Sequence, residues 1–247
     1  MEIKLLPVNK KEIITKLYVA CRTCYNAGTP TDMWRELEEN PVSEEKMLKL
    51  IERVISSGHH STLEHVQLTF LISGVSRSLS HQLVRHRLSS FSQQSQRYCT
   101  FENGKFDYVI PQMIRGNEYT LGLFEGTMAH LAGVYSKLIQ AGIPAEDARA
   151  VLPNACCTNL TWSVNIRELM HVCNERLCSC AQSEIRVMTQ KIRLATISQL
   201  PFLKPYLVPK CEMLGYCNES KQRSCGRKKV KEVVIPKEEY VLSGEEE

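Results

Sequence analysis

No run of this sequence approaches the ~18 uninterrupted apolar residues that a membrane-spanning helix needs. The opening Met1-Glu2-Ile3-Lys4 lacks the basic-then-apolar layout of a secretory signal. Both absences predict a cytoplasmic protein with no membrane partner, in a compartment where thiols stay reduced. Neither GxGxxG nor the GxxxxGK[ST] phosphate loop occurs. A nucleotide, if bound, therefore has its phosphates held by side-chain cations and not by a glycine turn. An excess of one charge is also missing. The 31 Lys and Arg against 27 Asp and Glu leave a formal net charge of +4, too little for bulk nucleic-acid binding. The 11 cysteines are an odd number without regular spacing, and most read as small buried hydrophobes.

What is present suits one folded domain. The chain has 247 residues, 43% hydrophobic and 23% charged, enough to bury a sizeable core. A strand is predicted over 3–8 and a helix over 12–24, with Ile13, Leu17 and Ala20 on one face. Gly28, Pro30 and Pro41 mark 26–43 as loop. Ser43 then caps a helix whose stripe is Met47, Ile51, Val54 and Ile55, with Glu44 and Glu45 in its first turn. Gly58 ends it. Val66, Leu68, Phe70 and Ile72 alternate as in a half-buried strand.

A helix is expected over 75–85, a strand over 107–110 and a long helix over 117–140. Pro144 starts a short helix from the first-turn position, and 162–200 reads as largely helical. Few, widely spaced strands favour an α+β fold over a doubly wound sheet. The expected division is a single α+β domain over 1–209 and a polar, cysteine-containing tail over 210–247. Residues 243–247 are expected to be disordered.

The least ordinary stretch is Arg85-His86-Arg87-Leu88-Ser89-Ser90-Phe91-Ser92-Gln93-Gln94-Ser95-Gln96-Arg97-Tyr98. It holds three Arg, one His, four Ser and three Gln, and no carboxylate competes for their donors. Arginine makes planar two-point contacts, so this surface suits phosphate or another polyanion. A solvated polar loop is the alternative, although Gly, Pro, Asp, Asn and Lys are all absent from it.

Gly58-His59-His60-Ser61-Thr62-Leu63-Glu64-His65 invites a metal reading. Three residues separate His60 from Glu64, so the inverted zincin pattern H-x-x-E-H misses by one. Ser61 and Glu64 instead fit a capping box, with polar contact to a cofactor as the functional reading. No metal is expected here. Farther on stand Arg149 and the run Asn165, Arg167, His171 and Arg176. Arg167 and His171 share a helix face, while Asn165 and Arg176 share another, at ~100° per residue. Salt bridges of Arg167 and Arg176 to Glu168 or Glu175 are the structural alternative. Cys21-x-x-Cys24 reads as core packing. Cys156-Cys157 lacks a visible activating base, and Cys211, Cys217 and Cys225 lack paired metal-ligand spacing.

Two other functions compete on these residues alone. One is a single-stranded RNA binder that stacks bases on Phe91, Tyr98 and Phe101. The other is a zinc hydrolase built on His59, His60 and His65.

Arg85-His86-Arg87, seven residues, then Ser95-Gln96-Arg97 is the pattern RHR-x7-S-[RQ]-R, with all six fixed positions matched. It resembles the signature of the flavin-dependent (alternative) thymidylate synthases. His59, Ser61 and Glu64 resemble that family's upstream H-x-[ST]-x-x-E-H segment. Gln82 before the signature, Arg149-Ala150-Val151-Leu152-Pro153, and Asn165-x-Arg167 with His171 and Arg176 resemble further family segments.

The resemblance implies helices packed around a small antiparallel sheet, assembled as a homotetramer with sites shared between subunits. It implies methylation of dUMP to dTMP with 5,10-methylenetetrahydrofolate as carbon donor and NADPH, through FAD, as reductant. By the same resemblance Ser61, Glu64, Arg85, His86, Arg87, Gln93, Asn165, Arg167 and His171 contact FAD. Gln82, Arg85, Gln93, Gln94, Ser95, Gln96, Arg97, Arg149 and Arg176 contact dUMP, and Arg176 is the catalytic cation that polarises the uracil.

Overall fold

Local capping chemistry starts most of the helices. In the computed structural model, which describes residues 1–101 and 105–231, strand β1 (Glu2–Leu5) leads into helix α1 (Lys10–Thr23). Asn9 caps α1 by accepting from the Glu12 amide at 3.1 Å. Helix α2 (Pro30–Glu39) occupies a stretch expected to be loop. Its start signal is complete: Thr29 accepts from the Asp32 amide at 3.1 Å, and Pro30 stands in the first turn. Those residues also read as loop formers, and α2 buries only Met33, so its apolar signal is weak.

Ser43 caps α3 (Glu44–Ser56), which buries Met47, Ile51, Val54 and Ile55 as its periodicity requires. Gly58 follows at φ +87°, a left-handed conformation that favours glycine. Residues His60–His65 form a 3₁₀ turn with no side-chain cap, so the Ser61–Glu64 capping box does not form.

Strand β2 (Gln67–Ser76) buries Leu68, Phe70 and Ile72 on one face. A register shift between Ile72 and Val75 marks an irregularity, where Gly74 at φ +65° donates its amide to Asn159 Oδ1 at 3.0 Å. Helix α4 (Arg77–Leu83), capped by Ser76, and strand β3 (Ser89–Gln93) follow. The strand expected over 107–110 is reduced to a single bridge between Tyr108 and Cys156. Helices α5 (Gln112–Arg115), α6 (Glu118–Gln140) and α7 (Ala145–Ala148) come next. Pro144 is the N-cap of α7, not its first helical residue.

Strand β4 (Cys157–Asn165) corrects the helical reading of residues 162–165. Thr158, Leu160, Trp162 and Val164 are buried in strict alternation, a period of two. Helix α8 (Ile166–Arg176) starts directly from this strand, and α9 (Ser183–Gln199) follows. The four strands form one antiparallel sheet in the order β1-β2-β4-β3.

The fold is therefore α+β, with helices around a small antiparallel sheet. Apolar residues from α1, α3, α8, α9 and the sheet merge into one core. At its centre Trp162 stacks on Phe70 at 5.5 Å and on Phe91 of β3 at 6.4 Å. A smaller cluster of Phe106, Met128 and Cys156 seats α6.

No helix among the described residues is long and apolar enough to cross a membrane. The segment expected to be a plain polar tail is folded as far as residue 231. Helix α10 (Lys210–Leu214) ends at Gly215, φ +78°, and Cys217 bridges Val230. The disorder expected at 243–247 lies outside the described residues.

Candidate active site

Two short connections create the site. The turn between α4 and β3 carries Arg85, His86 and Arg87, and β3 with its exit carries Gln93 to Arg97. Arg85 and Arg87 are exposed, whereas His86 is only 6% exposed. Behind it lies α8. Arg176 Nε donates to His86 Nε2 at 3.0 Å, and Arg176 Nη2 reaches the Gln82 carbonyl at 3.5 Å. Since Nε2 is the acceptor, the network assigns the imidazole proton to Nδ1. That nitrogen faces Glu168 Oε1 at 3.6 Å, and the His171 ring meets His86 edge-on at 5.5 Å.

Burial, with the nearby Arg176 and His171, lowers the His86 pKa to about 4. The ring is neutral at physiological pH, and its contact with Glu168 is one of dipole and charge. Burial raises the Glu168 pKa, with His171 and Arg167 opposing the shift. The half-buried Arg176 guanidinium has no carboxylate within salt-bridge distance among the described residues. Glu175 pairs instead with Lys210 at 3.6 Å. Arg167/His171 and Asn165/Arg176 were expected to face apart, but His86 bridges His171 and Arg176.

The acid-free signature receives two carboxylates from the fold, Glu168 at His86 and Glu146 at Arg97. Glu146 of α7 pairs with Arg97 Nη2 at 2.8 Å, and its carbonyl accepts from Arg149 Nε at 3.0 Å. The glutamines are anchored from behind. Gln93 Nε2 donates to Ser80 at 3.0 Å and Thr158 at 3.1 Å, and Gln94 Oε1 accepts from Asn159 at 2.7 Å. Gln96 Nε2 reaches the Cys156 sulfur at 3.6 Å, and Ser95 Oγ accepts from the Arg97 amide at 3.2 Å. Asn165 caps α8 by accepting from the Glu168 amide at 2.8 Å. The 3₁₀ turn with exposed Ser61 and Glu64 packs on α8, where the Arg167 charge helps lower the His60 pKa, after burial.

Glu168, the Gln82 carbonyl and Glu146 were missed as site components. For Glu168 a local signal was available: Asn165 and Glu168 have the spacing of a helix-start cap, which places the acid in the first turn of α8.

Competing chemistries lose their geometry. His59 contacts Tyr25 at 3.0 Å and His60 contacts the Ile55 carbonyl at 3.1 Å, so the three upstream histidines do not gather. His86, Glu168 and His171 do gather, with the His86 Nδ1 edge toward Glu168 and the Nε2 edge taken by Arg176. Burial, then neighbouring Cys157, push the Cys156 thiol up to about 11, and burial with Asp107 raises Cys157. Neither offers a thiolate nucleophile near neutral pH. Phe91 stacks on Trp162, and Phe101 packs against Phe106 and Tyr135, which leaves Tyr98 alone to stack an RNA base.

A family model described as "Thymidylate synthase complementing protein" matches residues 8–202. The chain belongs to this family. It is 42% identical over 224 residues to a flavin-dependent thymidylate synthase of Nitratidesulfovibrio vulgaris, covering 87% of this chain and 91% of that protein. Similar proteins of the same description are found in Geobacter sulfurreducens, 40% identical over 85% of this chain and 87% of that one. In Pyrococcus abyssi the identity is 38%, over 76% and 80%. Within the thymidylate synthase complementing family, the segment beyond residue 202 lies outside the matched region.

The neutral buried His86 has a consequence for stability. The unfolded chain protonates His86 below its ordinary 6.5, the folded chain only below about 4. Stability is therefore expected to fall as pH drops from 6.5 toward 4, by on the order of 3 kcal/mol. The raised Glu168 pKa opposes this loss, because protonating that buried carboxylate favours the folded state. Urea midpoints measured across this window should flatten in His86→Gln. An unchanged slope in the variant would contradict a buried neutral imidazole.

Proposed function

We propose that the chain is a flavin-dependent thymidylate synthase, converting dUMP to dTMP with 5,10-methylenetetrahydrofolate as carbon donor and NADPH, through FAD, as reductant. The observation that carries the reading is Arg176: a half-buried cation with no counter-charge among the described residues, oriented by a neutral imidazole inside the family's signature. Arg176 is the catalytic residue of this proposal. It stabilises the negative charge that develops on the uracil ring, and partial desolvation strengthens that interaction. His86, assigned above to FAD contact, instead serves as a positioning residue. Its accepting Nε2 aims the guanidinium, while the Glu168 carboxylate faces its Nδ1 at 3.6 Å.

The remaining residues suit two anionic ligands. Arg85 and Arg87 are exposed with no carboxylate partner among the described residues, which fits the diphosphate of FAD. When bound, FAD supplies the hydride chemistry. Ser61, Glu64, Arg167 and His171 hold its other polar groups. Gln93 keeps its Oε1 and Asn165 its amide N–H₂ for ligand contacts, beyond the bonds that fix them. Gln82, Gln94, Ser95, Gln96, Arg97 and Arg149 take dUMP. Charged nucleotide phosphate is expected to compete with Glu146 for Arg97.

The protein works in the cytoplasm, binds no nucleic acid and carries its chemistry within residues 1–209. It assembles as a homotetramer with shared sites. Helix α6 supports an interface: it buries only Met128 and Tyr135 while Tyr119 is 78% and Leu123 62% exposed. Light scattering is expected to give four chains per particle, and a monomer at micromolar concentration would exclude shared sites.

The test of function is direct. Purified protein should be yellow with an oxidised-flavin spectrum, or become so on adding FAD. It should form dTMP only when dUMP, methylenetetrahydrofolate and NADPH are all present. Protein that takes up no FAD and forms no dTMP would overturn the proposal.

A further inference from the structure

All 11 cysteines are free thiols, and five of them meet. Cys178 and Cys180, on the turn joining α8 to α9, and Cys211, Cys217 and Cys225 of the C-terminal segment line one cavity of about 180 Å³. Ligand atoms of Cys178, Cys180 and Glu219 all lie within 4.8 Å of one another. Cys180 Sγ donates to the Arg223 carbonyl at 3.2 Å, and Cys225 lines the same wall as Ser179. Residues far apart in sequence thus close over the Cys178–Cys180 pair.

The C-terminal segment has little else to hold it. Between residues 210 and 231 Cys217 is the one buried side chain after its first residues leave Pro209. Its order rests on one short helix, a single bridge from Cys217 to Val230, two left-handed glycines, Gly215 and Gly226, and exposed ion pairs such as Lys210–Glu175 and Arg227–Glu212. A stretch this short, without an apolar core, needs a staple. Clustered thiols with one carboxylate are soft ligands that select zinc over magnesium or calcium.

We propose that Cys178, Cys180 and Glu219 bind one zinc-class divalent cation, with Cys225 moving in from the cavity wall as the fourth ligand, stapling the C-terminal segment onto the α8–α9 turn. A tetrahedral site with Zn–S bonds of about 2.3 Å places sulfurs about 3.8 Å apart, so the triad closes by no more than about 1 Å. Binding replaces each S–H by S–metal and releases the thiol protons. Three thiolates and a carboxylate leave excess negative charge around a dication. Lys210, Arg223 and Arg227 in the same walls offset it. Arg176 also lines this cavity, so the staple holds the end of α8 from which the guanidinium projects. The inference does not depend on the activity proposed above.

The full chain, purified with a phosphine reductant and no chelator, is expected to carry about one zinc per chain by elemental mass spectrometry. After metal removal, Co²⁺ should give, in a difference spectrum, a sulfur-to-cobalt charge-transfer band and the intense visible bands of tetrahedral cobalt. Depletion should lower the melting temperature. The Cys178→Ser/Cys180→Ser variant should lose zinc and band together, while Cys24→Ser, an exposed cysteine elsewhere, keeps both. If the double variant fails to fold, the cobalt spectrum of the unmodified chain decides. A metal-free protein without the charge-transfer band, an octahedral cobalt spectrum, or a Cys178–Cys180 disulfide in the purified protein would each overturn the proposal.

Discussion

Arg176→Ala is expected to lower dTMP formation by about 10²–10³-fold while leaving the flavin bound, as for removal of one preorganised stabiliser of developing charge. The guanidinium is held at two points, by His86 Nε2 at 3.0 Å and the Gln82 carbonyl at 3.5 Å. It enters the reaction already oriented. Arg176→Lys keeps the charge but loses the planar fork, so it should fall between the two. The loss should appear in the single-turnover rate more than in dUMP binding, because only interactions strengthened in the transition state accelerate chemistry. His86→Gln, which leaves Arg176 in place but alters its partner, should show a milder form of the same defect. Flavin release in proportion to lost activity in Arg176→Ala would sink the assignment and return Arg176 to a structural role.

The largest stability effect is expected at Trp162. Its side chain is fully buried between Phe70 and Phe91. Truncation to Ala opens a large cavity at the centre of the sheet and should cost about 3–5 kcal/mol. For a domain of this size that lowers the melting temperature by on the order of 10 °C. Trp162→Phe should cost far less, since the indole Nε1 has no hydrogen-bond partner to lose. Phe91 sits on β3, the strand inside the signature, so loosening Trp162 should also weaken flavin retention. A Trp162→Ala protein as stable as the parent by calorimetry would show that this stack does not organise the core.

Trp162 also marks where the one-dimensional reading failed. Thr158, Leu160, Trp162 and Val164 alternate cleanly, yet β4 passes into α8 with no glycine or proline between them. Asn165 alone punctuates this passage, as the cap of α8, and the helical period after residue 166 spread backwards over it. At α2 the error ran the other way. Thr29, Pro30 and Asp32 serve equally as helix start and as loop, and a helix that buries one residue adds no periodicity to decide between them.

Much of the candidate site was nonetheless legible. The absence of glycine phosphate loops, the acid-free run from Arg85 to Tyr98 and the spacing of Arg85-His86-Arg87 with Ser95-Gln96-Arg97 are properties of consecutive residues. The cap at Ser43 is likewise local, because its side chain reaches an amide only three positions on. Those features the sequence determined by itself. Only tertiary structure decided that His86 is buried and neutral against Arg176, 90 positions away. It also decided that Glu146 answers Arg97, and that cysteines from opposite ends of α9 share a cavity. Such pairings depend on the register of β2, β3 and β4 and on how α8 leaves the sheet. Burial then set the proton on each group, and neither quantity is carried by the order of residues along the chain.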